Sequence, residues 1–251
     1  MPRTVEVCRS REELAARASE HIAASARAAV VERGRFTVAL SGGDTPGATY
    51  SRLAADHGDT MPWEDVHVFW GDERCIPLER PDNHFTLATK TLLSRVPIPG
   101  SNVHRARGEA DDPAEAAAEY EQELRRCFIG ELPDFDLVIL GMGEDGHVAS
   151  LFPGSPGYAE RERLVVDHWV TKRGERVRRL TLTLPVITAA RQVLLLVSGA
   201  LKADMLAHVL GSGSDLPARR VDQESRDVVW MVDREAASAA AGLPDSARCP
   251  A

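Results

Sequence analysis

Five runs in this chain, Phe36–Leu40, Val66–Trp70, 135–140, 193–197 and 228–232, are close to continuously apolar instead of alternating apolar with polar. A strand with one wet face alternates, and a strand buried on both faces does not. The segments between the runs carry helical signals. Ser10-Arg11-Glu12-Glu13 has capping-box form, Leu14, Ala18, Ile22 and Ala29-Val30-Val31 follow on or near one stripe, and Gly34 suits a C-cap. Thr45 is expected to cap a second helix with Pro46 in its first turn, running to about Ala55. A third helix is expected over residues 83–93, and Asp112-Pro113 opens a fourth through Ala116, Tyr120 and Leu124 to about Cys127. Residues 164–169 and 179–184 read as a strand hairpin around the turn of residues 171–176. A helix over 201–210 and a last short helix capped by Asp233 complete the order, and the tail after Gly242, with Pro244 and Pro250, is expected to fray. Alternating buried strands and helices define an α/β fold, a mostly parallel sheet with helices on both faces.

Four strands end in small or charged residues: Ser41-Gly42-Gly43, Gly71-Asp72-Glu73-Arg74, Gly141-Met142-Gly143 and Ser198-Gly199. In such folds ligands lie beyond the carboxyl ends of the strands, so these loops are expected to share one crevice. No composition break or repeat divides the 251 residues, and a single domain over 1–251 is expected. Formal net charge is -8, which argues against non-specific nucleic-acid binding but permits a local anion pocket. No apolar run has the form of a signal peptide or the length of a membrane span, so a cytoplasmic protein without membrane association is expected. The spacings of Cys8, Cys75, Cys127 and Cys249 match no zinc or disulfide framework.

The loop Ser41-Gly42-Gly43-Asp44-Thr45 joins strand to helix, where backbone N–H groups and hydroxyls can hold a phosphate; without Gly-Lys-Ser/Thr it is not a P-loop. The segment from Gly141 to Gly146 has the bare spacing Gly-x-Gly-x-x-Gly, but only six residues separate His147 from Pro153-Gly154. A dinucleotide site needs a long helix there, so no nucleotide cofactor is expected. What remains is a loop that presents Asp145 and His147, a carboxylate beside a proton-transfer group. His84 lies nearer a site loop than the other histidines outside this motif, with a weaker signal. Arg74 offers a planar fork for phosphate or carboxylate, and Lys202 sits at a helix start, where a cation is unfavourable unless an anion lies close.

With these loops, and with Asp82-Asn83-His84-Phe85, Gly146-His147-Val148-Ala149-Ser150-Leu151-Phe152-Pro153-Gly154, Arg179-Leu180-Thr181-Leu182-Thr183 and Gly199…Lys202, the chain resembles the 6-phosphogluconolactonases, relatives of the glucosamine-6-phosphate deaminases. The likeness runs from about residue 5 to residue 240. It implies a Rossmann-like NagB/RpiA-type fold with a small additional hairpin and metal-independent hydrolysis of 6-phospho-D-glucono-1,5-lactone in the oxidative pentose phosphate pathway. The implied site has His147 as general base, Asp145 and Arg74 as its catalytic companions, and Ser41, Gly42, Gly43, Asp44, Thr45, Asp72, Arg74, Arg179 and Lys202 around substrate and phosphate. No cofactor or metal is implied. The expected partner is a small phosphorylated sugar lactone, and the expected state is a monomer, with a weak homodimer as alternative. Val148 stands where threonine is usual, Asp44 holds a variable position, and His84 is near a position often aromatic. The deaminases continue after Asp-Gly-His with a further acid, whereas Val148-Ala149-Ser150-Leu151-Phe152-Pro153 has none, which favours the lactonase.

Overall fold

The computed structural model describes residues 3–172, 174–211 and 215–240. Arg173 of the expected turn, Cys249 and the tail after Gly242 lie outside the described residues. In chain order the elements are β1 (Arg3–Cys8), α1 (Arg11–Arg33), β2 (Phe36–Leu40), α2 (Asp44–His57), β3 (Val66–Trp70), β4 (Asp72–Arg74), α3 (His84–Thr91), α4 (Pro113–Cys127), β5 (Leu137–Gly141), α5 (Pro156–Ala159), β6 (Val165–Lys172), β7 (Glu175–Leu182), α6 (Leu184–Ala189), β8 (Gln192–Val197), α7 (Ala203–Leu210), α8 (Pro217–Glu224) and β9 (Val228–Asp233).

Six strands pair in the order β1-β9-β8-β5-β2-β3, all parallel. Successive residues of the apolar runs face opposite cores, as a strand period of two requires. Phe36, Val38 and Leu40 of β2 join Leu137 and Ile139 of β5, Leu194 and Leu196 of β8, and Leu14, Ile22, Tyr50 and Leu53 from α1 and α2. On the other face Ala39, Val138, Leu140, Val193, Leu195 and Trp230 pack with Tyr120 and Leu124 of α4, Ile187 of α6, Leu206 of α7 and Val221 of α8. Both faces are thus covered by helices, which is why these runs show no alternation. Trp230 is fully buried and donates from Nε1 to Asp222 Oδ1 at 2.8 Å, so its one polar atom is satisfied inside the core.

The expected hairpin forms as β6 and β7, but β4 pairs antiparallel with β7 and makes a three-stranded second sheet, order β4-β7-β6. The strands run further into the expected turn, because β6 continues to Lys172 and β7 begins at Glu175. At its other end β7 stops at Leu182, and Leu184 already belongs to α6. Among the helices, Ser10 accepts from Glu13 N at 3.3 Å, Gly34 takes φ 75° with its N–H on Val30 O, and Asp112 caps α4, all as the local residues indicate. Two expectations are corrected. Thr45 is not the cap of α2: the helix starts at Asp44 after Gly43, which offers no side-chain cap, and Thr45 turns to Ser198. Asp233 accepts from Ala236 N at 2.8 Å but caps a turn, and no helix follows among the described residues. The elements α6 and α8 have no counterpart in the sequence reading. Both are short and carry proline in the first two positions, where a helix tolerates it although proline otherwise reads as a breaker.

The order also locates the crevice. From β2 the chain moves outward to β3, then returns to place β5 on the other side of β2. The loops after β2 and β5 therefore part toward opposite faces of the sheet, and ligands bind where such loops part.

Candidate active site

A cleft of about 570 Å³ lies at this point, lined by Ser41, Gly42, Gly43, Asp44, Thr45, Asp72, Arg74, Arg179 and Lys202, and by Gly143, Glu144 and His147. The structure thus brings together the phosphate-loop candidates, the cations and the proposed base. Asp145 reaches it through His147.

The loop after β2 is held from beneath. Tyr50 of α2, fully buried, donates its hydroxyl to Ser41 O at 2.9 Å and accepts from Ser41 N at 2.9 Å. Gly43 has φ 104°, a region closed to most side chains, and it turns the chain into α2. Without a side-chain cap, the first N–H groups of that 14-residue helix suit an anion. Thr45 Oγ1 lies 2.7 Å from Ser198 Oγ, which ties this loop to the one after β8. There Gly199, with φ 92°, donates its N–H to both oxygens of Asp233 at 3.1 Å, and the turn beyond places Lys202 at the start of α7. Lys202 Nζ is 3.9 Å from Glu144 Oε1.

The loop after β5 folds on itself. Gly143 N donates to His147 O at 2.8 Å, and Gly146, at φ 78°, donates its N–H to Gly143 O at 3.2 Å. His147 Nδ1 is hydrogen bonded to Asp145 Oδ1, and the same oxygen accepts from His147 N at 3.3 Å. Burial raises the Asp145 carboxyl, but the bond and charge of His147 outweigh it and hold Asp145 at about 2. An ionised carboxylate only accepts, so Nδ1 carries the proton and Nε2 is the basic nitrogen. The imidazole stacks on Phe152, centroids 4.0 Å apart at 19°. Gly143 is required for close approach, because a Cβ there would stand 2.0 Å from His147 Nδ1.

The third loop contains a buried network that the sequence shows only in part. Asp72 Oδ2 accepts from Ser150 Oγ at 2.6 Å and lies 3.6 Å from Arg179 Nη1, while His84 Nδ1 lies 2.9 Å from Asp72 O and 3.4 Å from Asp72 Oδ1. Burial opposes the charge on Asp72, yet His84, Arg179 and Ser150 together hold its carboxyl far below the usual range. His84 is raised, since the Asp72 carboxylate outweighs the burial that lowers it. Arg179 is lowered by burial against the pull of Asp72. Glu73 is also buried; its two oxygens accept from His84 N and Phe85 N at 2.8 Å each, and from Arg74 N at 2.7 Å, so it serves the start of α3. Its carboxyl is raised by burial.

Arg74 lies opposite Arg179 in the β4–β7 pairing and is ion-paired through Nη1 with Asp82. Nε of each arginine is buried without a hydrogen-bond partner. His84 and Ser150 are members of the site that the sequence reading left at the margin. Arg11 was missed: it lines the cleft from the first position of α1, and its Nε is likewise buried without a partner. Its place within an apparent capping box hid it.

The chain matches the family described as glucosamine-6-phosphate isomerases/6-phosphogluconolactonase over residues 9–230. It is 40% identical over 242 residues to a 6-phosphogluconolactonase of Nostoc sp., covering 94% of this chain and 98% of that one. Among solved structures it is similar to 6-phosphogluconolactonase from Trypanosoma brucei, with TM-score 0.85, 28% identity and coverage of 95% and 98% of the two chains. It is also similar to a monomeric glucosamine-6-phosphate deaminase, with TM-score 0.80, 25% identity and coverage of 94% and 99%. The parallel sheet, the crevice between the β2 and β5 loops and these likenesses agree: the chain belongs to the glucosamine-6-phosphate isomerase/6-phosphogluconolactonase family.

Proposed function

We propose that this protein hydrolyses 6-phospho-D-glucono-1,5-lactone to 6-phospho-D-gluconate, the lactone-opening step of the oxidative pentose phosphate pathway. The observation that carries this reading is the Asp145–His147 pair facing, across one cleft, the uncapped start of α2 with Lys202 beside it. The phosphate sits against Ser41–Thr45, with Lys202, Arg74 and Arg179 as its cations. Arg74 pairs with Asp82, Arg179 lies near Asp72 and Lys202 near Glu144, so each cation meets the phosphate beside a carboxylate.

His147 Nε2 takes a proton from a water that attacks the lactone carbonyl, and the ionised Asp145 stabilises the imidazolium that forms. Gly143 and Gly146 use their N–H groups inside the loop, so those two amides do not serve the developing oxyanion. Collapse of the tetrahedral intermediate breaks the bond to the ring oxygen, which receives the proton back from His147. A lactone is an activated ester, and this route calls on no metal.

The relative named as a deaminase keeps a second reading in view. Ring opening and isomerisation need additional proton-transfer groups, and the run from Val148 to Pro153 has no acid. Val148 and Leu151 are fully buried, and Phe152 is the platform of the His147 ring. The test is turnover of freshly prepared 6-phosphogluconolactone, with spontaneous hydrolysis subtracted, beside ammonia release from glucosamine 6-phosphate. Lactone turnover without ammonia is expected; ammonia release without lactone turnover overturns the proposal.

A further inference from the structure

Away from the cleft, at the outer edge of the large sheet, three side chains bring ligand atoms of different chemistry to one point. His104, Glu123 and Cys127 each offer one such atom, all within 4.8 Å of one another. His104 comes from the segment after β3, where its N–H donates to Val68 O at 2.8 Å, while Glu123 and Cys127 are one turn apart on α4. Cysteine spacing along the chain gives no hint of this group, because its histidine arrives from a separate segment.

The distances are His104 Nδ1 to Glu123 Oε1 2.7 Å, Cys127 Sγ to Glu123 Oε1 3.4 Å and Cys127 Sγ to His104 Nδ1 3.7 Å. Tetrahedral zinc, with bonds of about 2.0–2.2 Å to N and O and about 2.3 Å to S, spaces its ligands about 3.3–3.6 Å apart. The two sulfur edges lie near that range, and the N···O edge has to open by about 0.6 Å, on the same basis.

The surroundings supply what metal ligands need around them. His67 Nδ1 is 3.1 Å from His104 Nε2 and can accept a proton from it, the bond that turns Nδ1 into a ligand. The other carboxylate oxygen of Glu123, Oε2, is paired with Arg126, so Oε1 stays aimed at the cluster. A cleft of about 440 Å³, lined by His104, Glu123 and Arg126 among others, gives access from solvent. None of the three ligand residues lines the catalytic cleft.

The geometry points to a binding site for one borderline-soft divalent cation of the zinc class, held by His104 Nδ1, Glu123 Oε1 and Cys127 Sγ, with water in the fourth position. Thiolate and imidazole together select zinc over magnesium or calcium. On binding, the Nδ1 proton of His104 is replaced by one on Nε2, and His67 shifts its own proton from Nδ1 to Nε2, so the histidines lose none. The Cys127 thiol releases one proton to solvent. The ion fastens the segment that covers the edge of β3 to α4.

The test uses the full chain, stripped of metal, titrated with zinc chloride and separately with cobalt chloride. One saturable site is expected, with about one proton released per zinc, a thiolate-to-cobalt charge-transfer absorption, and a rise in Tm with zinc. Cys127→Ser and His104→Gln should each weaken zinc binding by at least about 100-fold, and His67→Gln by about 10-fold. Lactone turnover and circular dichroism report that these variants are folded, and His147→Ala should bind zinc like the unaltered chain. Absence of a saturable site overturns the proposal, as does a thiolate–cobalt band that survives in Cys127→Ser.

Discussion

The imidazole of His84 lies directly against the backbone of Gly42: a Cβ at Gly42 would stand 2.1 Å from His84 Cδ2. The ring cannot swing away cheaply, since Nδ1 is held by Asp72 and its own backbone N–H by Glu73. The loop after β2 therefore rests on a side chain from a different loop. Gly42→Ala is expected to destabilise the fold by about 1–3 kcal/mol, the usual cost of overpacking, and to raise KM. His84→Ala made in the same chain should recover part of that stability, measured as a double-mutant cycle in urea; strict additivity would argue against the contact.

His147→Ala should lower kcat by about 10²–10⁴-fold, the range of a positioned acid–base group, with circular dichroism unchanged. Gly143→Ala is a sharper probe because it leaves the base in the chain and displaces it through Nδ1. It should cost kcat nearly as much as loss of the imidazole. Near-normal turnover in either variant would remove His147 as the base.

Lys202→Ala should raise KM for the phosphorylated lactone by about 10–150-fold, since hydrogen bonds to charged groups contribute about 1.5–3 kcal/mol. Turnover of unphosphorylated gluconolactone should hardly change. Equal effects on both lactones would show that Lys202 does not read the phosphate. Arg11→Ala is the companion variant, with a smaller rise in KM expected.

The His84–Asp72 pair gives stability a pH signature. The folded state raises the His84 pKa, so it binds that proton more tightly than the unfolded chain, whose histidine titrates near about 6.5. That contribution is complete below this pH and disappears as pH rises through the folded value. Asp72 is depressed, so its contribution is complete above the unfolded carboxylate range near about 3.9 and is lost only on strong acidification. The Tm advantage of the unaltered chain over His84→Gln should thus be greatest between these limits and shrink toward alkaline pH. A difference independent of pH would mean that His84 is neutral in the folded protein.

Much of the architecture was legible because burial on both faces writes itself into composition: β2, β3 and β8 stand out as apolar runs, and Asp145 and His147 follow β5 at once. What stayed hidden has different physical origins. β1 is an edge strand with mixed exposure, so it has no continuous apolar run. Arg11 lines the cleft from a helix start that looks like ordinary capping. The Asp72–His84–Ser150–Arg179 network joins four segments whose meeting depends on the second sheet, and the pairing of β4 with β7 has no local signal in a three-residue strand. Thr45 was misread because its hydroxyl has a long-range partner, Ser198, in place of the helix it follows.

Among the described residues β1 has a single neighbour in its sheet, and that neighbour is β9, the last strand described. On a ribosome β1 must therefore wait for β9. At about 5–20 residues per second, the interval is roughly 10–45 s. During that time α1 can settle with β2 and α2, while the outer edge of the sheet stays unfinished. Closure of that edge should come as a late step, visible as protease sensitivity near residues 3–8 in ribosome-stalled chains that end before β9 and lost once β9 has emerged. The residues of β1 would then report that β9 has been made, a seam between segments more than 200 residues apart.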